Sequence, residues 1–269
     1  MTAPTLDFAT LSRFADHLES TARECGRVIM DIYESDFEVH TKADKSPVTA
    51  ADEASEEIIL KALKKIAADI PFVAEEHTAE HGFPNFEGST FWLIDALDGT
   101  KEFINKRGAF TVNIGLIVDG QPCLGIVYAP ARDEMFRGVN CPTSGEQAAL
   151  VERNGKRETL SVRAIPQTGV TVVGSFSHQV KEPMDNFLAG LTVEDMIAIG
   201  SSLKFCLVAE GKADLYPRFG PTCEWDIAAG HAVLRAAGGS VKTFGGEDII
   251  YKKANENYRN GTFLAAGTP

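Results

Sequence analysis

The sequence has no surplus of positive charge. Lys and Arg number 26 against 38 Asp and Glu, a net charge of -12 over 269 residues. No basic stripe is available to displace the counterions of a nucleic-acid polymer. No apolar run reaches the roughly 18 residues of a membrane span, and the opening Met1-Thr2-Ala3-Pro4 lacks the basic-then-apolar form of an export signal. The five cysteines, Cys25, Cys123, Cys141, Cys206 and Cys223, are odd in number and form no C-x-x-C pair. That pattern fits reduced thiols and gives no disulfide framework. Internal repeats and low-complexity segments are missing too. A cytoplasmic globular protein is the expectation, and 44% hydrophobic residues suffice for a sizeable core.

Against this background one stretch stands out, Phe91-Trp92-Leu93-Ile94-Asp95-Ala96-Leu97-Asp98-Gly99-Thr100. An apolar run of strand length meets two carboxylates at an acidic turn. The strand fixes Asp95, the turn brings Asp98 beside it, and Gly99 permits close backbone approach. Carboxylates on a rigid base suit a hard cation such as Mg2+. If Thr100 opens a helix, the N-H groups of Gly99, Thr100 and Lys101 suit a phosphate. A small phosphorylated ligand is compatible with so acidic a chain where bound metal reverses the local charge. Plain turn and N-cap chemistry accounts for the same residues.

Apolar spacing of about 3.6 residues predicts a long amphipathic helix over 6–33. Phe37 to Thr41 reads as a short strand, followed by a polar loop from Lys42 to Thr49. Thr49-Ala50-Ala51-Asp52 has the form of a capping box opening a helix to about Ala68. Asp52 thus has a structural role ready as well as a catalytic one. Ile70 to Ala74 is a strand that ends at Glu75, so Glu75 and Asp95 converge if their strands are neighbours. His77 to Ser89 reads as a mobile flap, and the His77/His81 spacing is a weak zinc signal, since no apolar face accompanies it. Asp119-Gly120 predicts a hairpin between Phe110–Val118 and Gln121–Ala129. Glu134 to Gly138 adds a strand, and Gly138 to Arg157 reads as loops near a domain boundary. Two halves are expected, 1–150 with the acidic motifs and 151–269 with a strand at 170–174, helices near 183–191 and 203–209, and a strand at 213–218. Asp226 falls in the first turn of a final Ala-rich helix closed by Gly238-Gly239.

Trp92-Leu93-Ile94-Asp95-Ala96-Leu97-Asp98-Gly99-Thr100, with Glu75-Glu76 upstream and Trp225-Asp226-Ile227-Ala228-Ala229-Gly230 downstream, resembles the inositol monophosphatase superfamily of Mg2+-dependent, lithium-sensitive phosphatases. Within it, Lys42-Ala43-Asp44-Lys45-Ser46-Pro47-Val48-Thr49, Ser177-His178, Gly200-Ser201-Ser202-Leu203-Lys204 and Asp214-Leu215-Tyr216-Pro217-Arg218 look like the CysQ-type 3'(2'),5'-bisphosphate nucleotidases of sulfur metabolism. The resemblance implies an α/β, α+β-type fold layered αβαβα, as in the inositol-monophosphatase and fructose-bisphosphatase sandwiches. The implied reaction is hydrolysis of adenosine 3',5'-bisphosphate to AMP and phosphate, with 3'-phosphoadenylyl sulfate as a further substrate. It also implies that Glu75, Asp95, the Leu97 carbonyl, Asp98 and Asp226 hold two or three Mg2+ ions. Gly99 and Thr100 N-H groups would hold the transferring phosphate beside Leu97 and Asp98, while the Thr100 hydroxyl, partnered by Asp52, helps activate the attacking water. His178, Ser201, Lys204 and Arg218 would face the nucleoside and the retained phosphate, Arg218 as a two-pronged fork.

Two departures from the pattern matter. The motif commonly has proline where this chain has Ala96, so a looser metal-binding turn is expected. Phe176 stands where relatives commonly carry a basic residue, which bears on nucleotide specificity. An inositol or sugar phosphatase, and a catalytically weak nucleotide-binding protein, stay open as alternatives. So do monomer and homodimer, and so does a place at the inner face of the cytoplasmic membrane, where some relatives lie.

Overall fold

The computed structural model describes residues 6–41, 47–175 and 181–267. The first half runs α1 (Phe8–Tyr33), β1 (His40–Thr41), β2 (Pro47–Val48), α2 (Ala50–Ile66), β3 (Phe72–Ala74), α3 (Glu75–His81), β4 (Thr90–Asp98) and α4 (Thr100–Ile104). An antiparallel meander follows as β5 (Thr111–Val118), β6 (Gln121–Ala129), β7 (Glu134–Asn140), β8 (Gln147–Arg153) and β9 (Lys156–Thr159). The remainder is β10 (Val170–Gly174), α5 (Lys181–Leu188), β11 (Val193–Ala198), α6 (Leu203–Ala209), β12 (Leu215–Arg218), β13 (Thr222–Cys223), α7 (Glu224–Ala236), β14 (Ser240–Thr243), β15 (Arg259–Asn260) and β16 (Phe263–Ala266).

Strands β3 to β9 form one seven-stranded sheet in sequence order, and β11-β10-β12-β16-β14 form a second sheet of five. One core lies between α1, α2 and the first sheet, with Leu18, Ile59, Trp92 and Ile114 at its centre. Another lies between the two sheets and is filled by α6 and α7, with Leu93, Phe205, Ala229 and Phe263. A third packs α5 on the outer face of the second sheet through Val172, Leu215 and Phe187. The layers are therefore α, β, α, β, α, as the resemblance implies.

Several sequence expectations hold closely. The long helix expected over 6–33 is α1, which Asp7 caps by accepting from Thr10 N at 2.8 Å, and the expected Thr49/Asp52 capping box opens α2. The Asp119-Gly120 turn has φ of 51° and 73°, the conformation of a two-residue hairpin. Others are corrected. The loops expected from Gly138 to Arg157 are largely strand, because β7 runs on to Asn140 and β8 and β9 extend the first sheet. The first turns of the expected flap at 77–89 are helix α3, on which the His77 and His81 rings stack with centroids 4.5 Å apart. The expected strand at 37–41 is reduced to His40–Thr41.

Three glycines aim the central helix. Gly115 pairs with Gly125 across β5 and β6, and Gly125 pairs with Gly138 across β6 and β7. A Cβ on Gly125 would stand 2.2 Å from Ala229 O, and one on Gly138 would stand 2.5 Å from Ala232 O. The bare seam lets the α7 backbone lie directly on the sheet. It thereby fixes where Asp226, in the first turn, can sit. No helix among the described residues is long and apolar enough to cross a membrane.

Candidate active site

Alternation along β4 sends Phe91 and Leu93 into the inter-sheet core and Trp92 and Ile94 into the α1/α2 core, so Asp95 points toward α7. Parallel pairing sets Val73 beside Leu93 and Ala74 beside Ile94, which carries Glu75 alongside Asp95. Glu75 is also the first residue of α3. Buried Glu56 of α2 holds that helix start in place by accepting from Glu76 N at 2.8 Å and His77 N at 2.7 Å. Asp226 comes from the opposite layer, where its Oδ2 accepts from Cys223 N at 2.7 Å. Ligand oxygens of Glu75, Asp95 and Asp226 all lie within 4.8 Å of one another.

Between Asp95 and Asp98 the β4–β5 register shifts. The irregularity frees the strand to turn, with Asp95 Oδ1 accepting from Leu97 N at 3.0 Å. Gly99 then takes φ of 95° as the N-cap of α4, a conformation that glycine adopts without penalty. Thr100 Oγ1 stands 3.3 Å from both Leu97 O and Asp52 Oδ1. The other Asp52 oxygen is held by Thr49 N at 2.9 Å and Thr49 Oγ1 at 2.7 Å. Asp52 is thus both helix cap and partner of Thr100. Asp98 lies outside the group of three carboxylates and accepts from Asn113 Nδ2 at 3.4 Å.

Mutual repulsion is built into this corner. Burial, then Glu75, Asp98 and Asp226, holds the Asp95 carboxyl well above the usual range. Asp226 is raised likewise by burial, Asp98 and Glu75, against the Cys223 N-H. Burial lifts Asp98 to about 6, opposed by the Lys204 ammonium and the Asn113 hydrogen bond. An all-oxygen, all-carboxylate donor set with this much mutual repulsion fits a hard divalent cation. The His77/His81 pair is not part of it.

These residues line a cavity of about 700 Å³, whose other wall carries Ser201, Lys204 and Arg218. Ser201 has φ of 55°, the left-handed region that a non-glycine residue seldom enters. Lys204 is 4% exposed and donates to Ser201 O at 2.5 Å. Burial lowers it to about 8, while Asp98 opposes the shift. Arg218 differs from the fork expected of it. Its Nε and Nη2 donate to Gly220 O and Pro221 O at 3.1 Å each, so that edge is tied to the turn leading into β13 and α7. His178 and the neighbouring Ser177 and Phe176 lie outside the described residues.

Sequence reasoning passed over three buried acids that serve the site. Glu56 caps α3, Glu102 lines the cavity, and Glu224 receives Lys252 N and Lys253 N, both at 2.9 Å, at the start of α7. Glu56 lies among the buried residues of α2 beside Ala51, Ile59 and Leu63, where a charge pointing inward is a legible signal. Glu224 offered no such signal, because its partners lie far along the chain.

The profile of the inositol monophosphatase family matches residues 10–267. A 3'(2'),5'-bisphosphate nucleotidase CysQ of Shigella flexneri is 44% identical over 255 residues, covering 92% of this chain and 97% of that protein. The crystal structure of CysQ from Bacteroides thetaiotaomicron, described as a bacterial member of the inositol monophosphatase family, superposes with a TM-score of 0.77 at 33% identity, covering 96% and 98% of the two chains. An inositol monophosphatase from Anabaena superposes with a TM-score of 0.73 at 27% identity, over 95% of this chain and 91% of its own. By its sequence, its layered fold and its carboxylate corner, this chain belongs to the inositol monophosphatase family.

Proposed function

We propose that the protein is a Mg2+-dependent 3'(2'),5'-bisphosphate nucleotidase. It removes the 3'-phosphate of adenosine 3',5'-bisphosphate to give AMP and phosphate, and takes 3'-phosphoadenylyl sulfate as a second substrate. The observation that carries the chemistry is the convergence of Glu75, Asp95 and Asp226 within 4.8 Å, opposite a wall bearing Lys204 and Arg218. The 44% identity to a CysQ nucleotidase supports the choice of substrate.

Glu75, Asp95, Asp98, Asp226 and the Leu97 carbonyl would hold two or three Mg2+ ions, which supply charge neutralisation and a lowered pKa for water. Phosphate monoester hydrolysis is slow because a dianion repels its nucleophile, so the remaining work is positioning. The N-H groups of Gly99 and Thr100 hold the transferring phosphate at the turn. Thr100 Oγ1, within reach of Asp52 Oδ1, orients the attacking water and passes a proton toward the carboxylate. Ser201, Lys204, Arg218 and His178 retain the nucleoside and its second phosphate.

One observation favours a second reading. Since the Arg218 fork is tied to Gly220 and Pro221, among the described residues the clamp for a second phosphate rests mainly on Lys204, and an inositol or sugar phosphate needs no such clamp. Phosphate release from adenosine 3',5'-bisphosphate, inositol 1-phosphate and fructose 1,6-bisphosphate in Mg2+ separates the two. Preference for the nucleotide supports the proposal, and preference for inositol phosphate replaces it while keeping the metal corner.

A further inference from the structure

Glu102, in the first turn of α4, is 4% exposed and lines the cavity, yet it is not one of the three converging carboxylates. A buried acid needs partners. A Cβ built on Gly200 would lie 2.7 Å from Glu102 Cγ, 3.0 Å from its Cδ and 2.6 Å from Ala109 O. The turn bearing Ser201 therefore rests directly on the Glu102 side chain and on the Ala109 carbonyl in the connection before β5. That turn carries the left-handed Ser201, whose carbonyl receives the Lys204 ammonium.

Charge completes the link. The Lys204 ammonium has Asp98, Glu102 and Asp226 as attractive neighbours and Arg218 against it. On the proposed reading Asp98 is a metal ligand and would share its charge with a cation held there. Of the three, Glu102 alone is not among the proposed metal ligands, so it is the carboxylate left to Lys204 when Asp98 and Asp226 are so engaged. It also stands two residues beyond Thr100, so one short helix joins the turn that holds the transferring phosphate to the wall that holds the rest of the substrate.

We infer that Glu102 is a positioning residue for Lys204, setting its ammonium and the Gly200-Ser201 turn where they meet the substrate's second phosphate. The inference rests on the reading of this cleft as a bisphosphate site.

The test compares wild type, Glu102→Gln, Lys204→Met and the double variant on adenosine 3',5'-bisphosphate and on 3'-AMP, which lacks the second phosphate. Loss of a charge-assisted contact predicts that Glu102→Gln raises KM for the bisphosphate about tenfold. It lowers kcat far less, and the preference over 3'-AMP falls by a similar factor. In the double variant the effect is no larger than in Lys204→Met alone, because both changes remove one interaction. Gly200→Ala, which pushes the turn off Glu102, reproduces the loss of preference from the other side. Equal losses on both substrates, or additive effects in the double variant, overturn the inference while the wild-type preference stands. A wild type with no preference for the bisphosphate removes the underlying reading and the inference with it.

Discussion

The Thr100 hydroxyl stands 3.3 Å from Asp52 Oδ1, joining the first turn of α4 to the first turn of α2 across 48 positions of sequence. Asp52 is clamped on its other oxygen by Thr49, so it cannot swing away from Thr100 without uncapping α2. One carboxylate thus caps α2 and, on the proposed reading, also positions the Thr100 hydroxyl for catalysis.

Asp52→Asn is expected to lower kcat about 10- to 100-fold, the usual cost of losing an outer partner of a reacting group, with a smaller change in KM. Thr49→Ala should cost about 1 kcal/mol of stability through the lost cap while keeping more activity than Asp52→Asn. Steady-state kinetics beside thermal melts distinguish the two roles. Equal activity losses in both variants would make the Asp52 contribution purely structural.

The carboxylate corner sets a pH dependence. Asp98 is raised to about 6, and Asp95 and Asp226 are raised well above their usual range, so the folded state without metal binds protons that the unfolded chain releases near pH 4. Their contribution to stability is full below pH about 4 and is lost as pH rises through 6 and above. In EDTA, the melting temperature of wild type should fall over that range more steeply than that of Asp98→Asn. Saturating Mg2+ should flatten the slope, and Mg2+ affinity should weaken as pH drops below about 6, where protons compete for the ligands. Differential scanning fluorimetry across pH, with and without Mg2+, reads all of these. A wild-type slope in EDTA matching that of Asp98→Asn contradicts the assignment.

Gly125→Ala places a methyl where Ala229 O already stands. Overpacking costs about 1–3 kcal/mol, and relief requires α7 to lift from the sheet and carry Asp226 with it. The expected outcome is a weakened Mg2+-induced rise in melting temperature along with lower stability. Gly145→Ala, where nothing lies within 4 Å of the new Cβ, serves as the control. Its effect is confined to the strain of a left-handed φ of 76°.

Ala96 is 2% exposed and has no register partner in the shifted β4–β5 segment. Proline there disrupts no paired register position of β4 and β5 and narrows the unfolded ensemble. Ala96→Pro is therefore expected to stabilise the protein by up to about 1 kcal/mol and to tighten Mg2+ binding by stiffening the turn that aims Leu97 O. Calorimetric titration of Mg2+ checks this, and weaker binding would contradict it.

Elements with a strong local code were legible in the sequence: α1 from its apolar spacing, α2 from its capping box, β5 and β6 from Asp119-Gly120. The acidic ends of β3 and β4 were legible too, because a charge that closes an apolar run marks where a strand leaves the core. What escaped depends on distant partners. β9 is exposed along its length and β8 buries only Ala149 and Val151, so neither carries a strong apolar alternation. α3 has no cap of its own and borrows Glu56 from α2. The glycine seam appears only once the register is known, and the tie of Arg218 to its own turn needs the path of residues 218–221.

The central claim is that Glu75, Asp95 and Asp226 hold the cation on which phosphate release depends. Its most direct test is the initial rate of phosphate release from adenosine 3',5'-bisphosphate as a function of Mg2+ for wild type and Asp95→Asn. The account predicts no release in EDTA, a saturable rise with Mg2+ in wild type, and no such rise in a folded Asp95→Asn variant. Release that persists in EDTA, or Mg2+ saturation of Asp95→Asn at the wild-type rate, would contradict it.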